Sequence, residues 1–296
     1  MFPLLVVDQN QLRNAQAIAH VILRCREESL YLLIPEGAGF EMSKSSEVWE
    51  TWRNSLRLLT PCWDLVVVSR KMTDLMRAEV ATGKPANSFV DHAATETFQQ
   101  ILADLESGND ASLRRIVEGP VKEKMPISRN AWSDAEMHRS WIIQLRDLLK
   151  AEITDREVKE LRRAPSSELA SWLSTANGVR FVYQGIVSRG ADDVTALRLA
   201  STPSVTGAFL SALALIALHW LAFGGLEAAK PEKVTNDLHD AEYAVFGSLS
   251  VDLRSADRKL QEIHSAVTAA RLARHSWIKH RLGITEFNRL NDRAQL

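Results

Sequence analysis

The sequence predicts an α/β fold in which a parallel sheet is interrupted by a large helical insertion. In the first 70 residues, short apolar runs alternate with helix-like segments, the pattern of right-handed βαβ units. Strand signals nearly vanish between about 71 and 230, where helix-start signals recur instead. One more short strand and a long amphipathic helix follow. With 296 residues, the chain is long enough to bury a substantial core.

The elements of the first 70 residues follow from their apolar spacing. All four residues of the first strand are apolar, which is typical of a strand buried on both faces. Pro35, Gly37 and Gly39 predict a loop after the second strand. The elements predicted here are strands at 4–7, 30–34 and 65–68, and helices at 12–27 and 46–58.

The central segment predicts helices. Capping boxes begin at Ser133 and Thr154, each with a glutamate three residues later. Gly178 is placed to end the helix that runs through Trp172, and one strand is predicted at 179–182. We therefore expect a catalytic α/β core over 1–70 and 232–296, with a mainly helical insertion over 71–231.

A long apolar stretch occupies 205–226. A membrane span needs about 20 apolar residues, whereas this run is somewhat short and carries His219 without a clear flanking charge bias. A buried core helix is therefore favoured over a membrane span, and no membrane partner is expected. The remaining predicted elements are a helix through Asp240, a strand at 251–254 and a helix at about 258–281.

The composition is that of an ordinary globular protein, with 46% hydrophobic and 25% charged residues and a net charge of −1. The segment from Arg254 onward contains nine Lys and Arg residues and only four acidic residues. This excess of positive charge fits either a basic arm beside an acidic metal site or a solvated helix end. Cys25 and Cys62 lie in apolar settings without zinc-ligand spacing, so we expect reduced core thiols. No signal peptide is visible, and a cytoplasmic location is expected.

Acidic residues at the ends of predicted elements are the candidate site. Asp8 closes the first apolar run, and the other candidates are Glu41, Asp237, Asp240 and Asp257. Carboxylates at the carboxyl ends of parallel strands can converge on one crevice. Such hard oxygen ligands suit Mg²⁺ or Mn²⁺, so the pattern indicates a metal-dependent nuclease.

Each of these acids also has a structural interpretation. Asp8, Asp237 and Asp257 could cap the helices that follow them, since aspartate is a favoured cap residue. Glu41 could be a surface acid, because Glu36 and Glu47 are equally available. Asp237 and Asp240 are three residues apart and share a helix face, so their mutual repulsion favours a bound cation.

Taken in order, these motifs resemble the PIN domain, a nuclease fold. The resemblance rests on Val6-Val7-Asp8, on Ile34-Pro35-Glu36 running to Phe40-Glu41-Met42, on Asn236-Asp237-Leu238-His239-Asp240 and on Ser255-Ala256-Asp257-Arg258. It covers somewhat over a third of the chain. The fourth strand is more polar than in the family, and the helical insertion is much longer than in minimal toxin-type members.

The resemblance implies a PIN-like α/β/α sandwich and an endoribonuclease that leaves 5′-phosphate and 3′-hydroxyl products. It implies that Asp8, Glu41, Asp237 and Asp257 hold one or two Mg²⁺ or Mn²⁺ ions. Asp240 would be a ligand or an outer acid, and Ser255 would orient a ligand or water. RNA is the expected substrate, with single-stranded DNA as the alternative.

Several functional assignments stay open at this level. The cations nearest the motifs are candidate phosphate ligands or surface ion-pair partners: Arg13, Arg254, Arg258 and Lys259. Trp49, Trp52 and Trp63 could stack on bases but are more typical of a core. The insertion could bind RNA, a regulatory protein or a second copy of the chain. The competing functions are a catalytically silent PIN-like binding module and a phosphatase-like or phosphotransfer enzyme.

Overall fold

The computed structural model describes residues 3–43, 47–121, 135–163 and 171–282. Four short parallel strands form one sheet in the order β3-β2-β1-β4. The strands are β1 (Leu4–Val7), β2 (Tyr31–Ile34), β3 (Val66–Val68) and β4 (Asp252–Arg254). The predicted α/β class with a parallel sheet is confirmed.

The burial of each strand follows from its place in the sheet. β1 lies between two neighbours, and all four of its side chains are buried. β4 is an edge strand in which only Leu253 is buried. Asp252 accepts from Arg24 at 2.7 Å and also faces Arg254 at 3.3 Å. The polar fourth strand is therefore a charged edge, a common protection against pairing with another chain.

Helices dominate the rest of the described chain. Those of the first half are α1 (Ala15–Glu27), α2 (Glu36–Ser43), α3 (Val48–Arg57), α4 (Met72–Thr82), α5 (His92–Glu106) and α6 (Ala111–Ile116). Those of the second half are α7 (Ala135–Lys150), α8 (Asp155–Arg163), α9 (Ala176–Val187), α10 (Asp193–Ser201), α11 (Val205–Phe223), α12 (Pro231–Leu249) and α13 (Arg258–Leu282).

Two predictions about the first helices need correction. The helix expected from residue 12 begins at Ala15, because extended Asn14 caps α1 and separates it from a 3₁₀ turn at Gln11–Arg13. The loop expected after Pro35 is instead the helix α2. Proline is compatible with a helix start, and the ring of Trp52 packs beside Gly39 of α2.

The prediction at Gly178 was also wrong. This glycine lies in the first turn of α9, where its N–H donates to the Thr175 side chain at 3.3 Å. A Cβ there would lie 2.4 Å from the carbonyl oxygen of Trp172, so glycine is required for close approach. The strand expected at 179–182 is part of the same helix, because its apolar residues pack in a helical core.

The two capping boxes differ in outcome. Thr154 and Glu157 form the predicted reciprocal pair, with Thr154 N–H donating to Glu157 at 2.8 Å and Glu157 N–H donating to the threonine hydroxyl at 3.3 Å. The first residues of the other box, Ser133 and Asp134, lie outside the described residues.

The chain divides into two units. The sheet unit comprises the described residues within Met1–Lys71, Ser88–Asp134 and Ser250–Gln261, and the helical unit those within Met72–Asn87, Ala135–Leu249 and Glu262–Leu296. This division differs from the predicted one. Residues 88–121 group with the sheet because α5 packs on β3, whereas 232–249 and 262–282 group with the helices.

The apolar helix α11 is the centre of the helical unit. It packs against α7, α12 and α4. By length and composition it could cross a membrane, but 89% of its most apolar window is buried within the protein. The structure therefore places it as the core helix that the sequence predicts.

Candidate functional site

The carboxyl end of β1 carries the first candidate acid. Asp8 follows Val7 directly, is buried, and donates its N–H to the carbonyl of Arg254 at 3.1 Å. Its Oδ1 accepts from the N–H of Gln11 at 2.9 Å. Asp8 thus caps the 3₁₀ turn that follows β1, whereas Asn14 caps the helix α1. The helix cap that the structural interpretation expected of Asp8 is therefore not formed, and its ligand role stays a prediction.

The adjacent strand β4 carries the second part of the site. Buried Ser255 follows Arg254 and donates its hydroxyl to Oδ2 of Asp8. The same hydroxyl accepts from the N–H of Asp257 at 2.9 Å. One side chain therefore joins the two aspartates that follow adjacent parallel strands.

Asp257 also has a capping role. Its Oδ1 accepts from the N–H groups of Lys259 and Leu260, at 2.7 and 3.1 Å, at the start of α13. Its Oδ2 accepts no hydrogen bond from any residue that the structure describes. One carboxylate oxygen thus fixes the helix, while the other is available to a ligand.

Glu41 lies in the sheet unit, on α2 and not in a loop, and is half-buried. Glu36, the alternative acid, begins the same helix and pairs with Lys71 at 3.4 Å. The N–H of Glu36 donates to the hydroxyl of Ser69 at 3.1 Å, which links the carboxyl ends of β2 and β3.

Asp237 and Asp240 belong to the helical unit. Both lie within α12, well past its first turn, so the capping interpretation of Asp237 was wrong. Asp237 is buried, and its Oδ2 accepts from Nε1 of Trp220 at 3.0 Å. Buried His239 lies between the two acids in sequence.

The predicted acids do not form a large metal cage within either unit. Across the parts of the chain that the structure describes, no three His, Cys, Asp or Glu side chains of one unit come together as a metal-binding group. Mg²⁺ retains several waters and is commonly held by only one or two protein carboxylates. The oxygen atoms that such a cation would use here are Oδ2 of Asp257 and the remaining lone pairs of Asp8.

The candidate phosphate-binding cations differ in their surroundings. Arg254 faces Asp252, and Arg258 and Lys259 begin α13. Arg13 is exposed on the 3₁₀ turn that Asp8 caps. With its amide oxygen turned toward Arg13, buried Gln9 accepts from Nε at 2.7 Å and from Nη2 at 2.6 Å. Sequence reasoning missed Gln9, since nothing in the local pattern marks it.

The candidate tryptophans have separate environments. Trp52 donates to the hydroxyl of Ser43 at 3.1 Å and packs beside α2. Trp49 lies under the guanidinium of Arg114, 4.7 Å from the ring centre. Trp63 is 38% exposed. Trp52 is half-buried and packs on a neighbouring helix, and base stacking stays a prediction for all three tryptophans.

A separate cavity of about 780 Å³ lies within the helical unit. Its lining includes Arg77, Arg189, Asp192 and Thr195. Arg189 donates to the carbonyl of Gly185 at 2.7 Å, and burial lowers the pKa of its guanidinium. No predicted site residue is part of this lining.

Comparison of the chain with models of protein families, with curated protein sequences and with solved structures finds no match.

Proposed function

We propose that this protein is a divalent-metal-dependent endoribonuclease with a PIN-like catalytic core. The observation that carries the proposal is the link through Ser255 between Asp8 and Asp257, which follow adjacent parallel strands. In open α/β sheets, ligands bind outside the carboxyl ends of the strands. The local placements of Asp8, Glu41 and the Ser255-to-Asp257 step also support the resemblance stated from the sequence.

Asp8 and Asp257 would hold Mg²⁺ or Mn²⁺, with Glu41, Asp237 and Asp240 as the further acids that the resemblance implies. The bound metal would activate water and neutralise charge on the phosphate undergoing hydrolysis. The hydroxyl of Ser255 orients the Asp8 carboxylate. Two N–H groups at the start of α13 hold Oδ1 of Asp257, and this fixes the position of its other oxygen. This preorganisation suits a ligand set that must not rearrange.

Cleavage of a labelled structured RNA and a single-stranded DNA tests this function. We expect cutting with Mn²⁺ or Mg²⁺, none with EDTA, and a loss of at least about a hundredfold in Asp8→Asn and Asp257→Asn. Asp237→Asn tests the helical-unit acid in the same assay. Asp74→Asn is the control, because that partly exposed aspartate pairs only with Arg77 among the described residues. Undiminished cutting by Asp8→Asn would contradict the proposal.

A catalytically silent binding module is the second candidate. It is favoured by the capping duties of Asp8 and Asp257 and by the lack of a group of three metal-binding side chains within either described unit. This alternative predicts that a well-folded wild type binds RNA but does not cut it with either metal.

A further inference from the structure

We propose that Gln9 and Arg13 form a phosphate-binding subsite in which Gln9 positions the Arg13 guanidinium for the RNA backbone. This inference rests on the proposed nuclease function and adds a substrate-holding group to the same site. Gln9 is buried and follows Asp8 directly, whereas Arg13 is exposed to solvent. The pair thus connects the interior of the sheet unit to its surface.

The geometry leaves the outer edge of the guanidinium open. In the amide orientation that satisfies its neighbours, the oxygen of Gln9 accepts from Nε and Nη2 of Arg13, so it occupies one edge of the planar group. A guanidinium has five N–H donors in a fixed fork. The Nη1 and Nη2 hydrogens on the other edge are suited to bind two oxygens of a phosphate at once.

The charge of Arg13 is also uncompensated. Gln9 is neutral, so its hydrogen bonds orient the cation without cancelling its charge. Arg13 forms no ion pair with any residue in the described part of the chain, whereas Arg254 faces Asp252 at 3.3 Å. Of these two cations, Arg13 therefore retains more of its attraction for phosphate.

The subsite is tied to the candidate metal site through the backbone. Gln11 and Arg13 belong to one 3₁₀ turn, and the N–H of Gln11 donates to Oδ1 of Asp8. The N–H of Arg13 donates to the carbonyl of Asn10 at 3.4 Å within the same turn. The capped turn thus fixes the chain between the acid and the cation. A phosphate held by Arg13 would be part of the strand whose cleavage Asp8 supports.

Salt-dependent RNA binding tests the subsite. Binding of a fluorescein-labelled single-stranded RNA is measured in EDTA over a range of salt concentrations, and KM and kcat are measured with Mn²⁺. The variants are Arg13→Gln, Gln9→Met and Gln9→Glu. Arg156→Gln is the control, because it removes an exposed guanidinium of α8 that pairs with Glu160.

Each variant has its own expected signature. Arg13→Gln weakens binding on the order of tenfold. It also makes the salt dependence shallower: the magnitude of the slope of log affinity against log salt falls by about 0.7, the value for one phosphate contact on a single strand. Gln9→Glu lowers the slope equally, since a carboxylate neutralises Arg13. Gln9→Met weakens binding about threefold and keeps the wild-type slope, because the charge remains but its orientation is lost. All three raise KM more than they lower kcat.

Two outcomes separate the subsite from the proposed function. Unchanged KM and salt slope in Arg13→Gln, with metal-dependent cutting intact, would overturn the subsite alone. An unchanged KM in both Gln9→Met and Gln9→Glu, together with an unchanged salt slope in Gln9→Glu, would overturn the role of Gln9 if Arg13→Gln is impaired. Loss of slope in Arg13→Gln together with no cutting by wild type would retain the subsite and overturn the nuclease. No RNA binding by wild type at low salt would overturn both.

Discussion

At the scale of single residues, the hydroxyl of Ser255 organises the candidate metal site. It donates to Asp8 and accepts from the N–H of Asp257, so it fills both of its hydrogen-bonding roles within the site. Because it is buried, water does not readily replace it when it is removed. Ser255 therefore fixes the orientation of the Asp8 carboxylate.

Removal of this hydroxyl should weaken metal binding more than catalysis at saturating metal. In Ser255→Ala we expect the Mn²⁺ concentration for half-maximal cleavage to rise about tenfold, as for other groups that orient metal ligands. Ser255→Thr keeps the hydroxyl and should restore most of the affinity. Ser188→Ala, which removes an exposed hydroxyl of the helical unit, is the control. An unchanged Mn²⁺ dependence in Ser255→Ala would argue against this role.

At the scale of elements, one buried carboxylate of α4 holds the start of the core helix α11. Oε1 of Glu79 accepts from the N–H of Val205 at 2.9 Å, and Oε2 accepts from the N–H and hydroxyl of Thr206 at 2.8 and 2.7 Å. These N–H groups have no partner inside the helix, and the helix dipole adds a favourable interaction with the negative charge.

Neutralising this carboxylate should destabilise the protein. Glu79→Gln keeps the shape but replaces one acceptor oxygen with a donor, which opposes an N–H or hydroxyl in a buried position. We expect a loss of about 3 kcal/mol in the free energy of unfolding, measured by urea denaturation. Glu96→Gln, an exposed position on α5, should change stability by less than about 0.5 kcal/mol. Equal stability of the two variants would contradict the capping role.

The helical unit also contains a buried cation, Arg274, at the end of another helix. Arg274 of α13 donates to the hydroxyl of Ser211 at 2.6 Å and to the carbonyl of Ala200 at 3.3 Å. Burial lowers the pKa of its guanidinium to about 10. Because Ala200 lies in the last turn of α10, the negative end of that helix dipole offsets part of the cost of burial.

At the scale of the whole molecule, the two thiols couple stability to pH. Burial raises the pKa of Cys25 to about 11 and that of Cys62 to about 12, from an ordinary value of 9.0. Both thiols are free and buried within the sheet unit. The folded state therefore keeps its thiol protons at pH values where the unfolded chain releases them.

The free energy of unfolding should consequently fall as the pH rises from about 9 to 11. The thiol contribution is fully present below the unfolded pKa and is lost as the pH passes through the folded values. We expect a decrease of roughly 3 kcal/mol over this range, measured by urea denaturation. The Cys25→Ala/Cys62→Ala variant should show a flatter profile. The same slope in both proteins would assign the effect to other groups.

Much of the sheet could be predicted from local pattern. β1 was predicted with the observed bounds, and β2, β3 and β4 within one residue of them, because short apolar runs between helical segments indicate buried parallel strands. The pairing of Thr154 with Glu157 was predicted from spacing alone. At the carboxyl ends of β1 and β4, Asp8 and Asp257 were predicted as candidate acids.

The errors fall where tertiary contacts override local signals. Pro35 and the glycines after it indicate a loop, yet packing against Trp52 stabilises α2. Gly178 indicates a helix end, but it serves a close approach to Trp172 at a helix start. The role of Gln9 depends on a side-chain contact with Arg13 that no spacing rule marks.

The sequence by itself determined the α/β class, the positions of the four strands of the sheet and the buried character of α11, because hydrophobic periodicity directly reflects which faces are removed from water. Only the tertiary structure decided the sheet order, the grouping of residues 88–121 with the sheet and the joining of Asp8 to Asp257 through Ser255. These features depend on contacts between residues far apart in the chain, and a local pattern carries no information about which distant side chain completes a hydrogen bond.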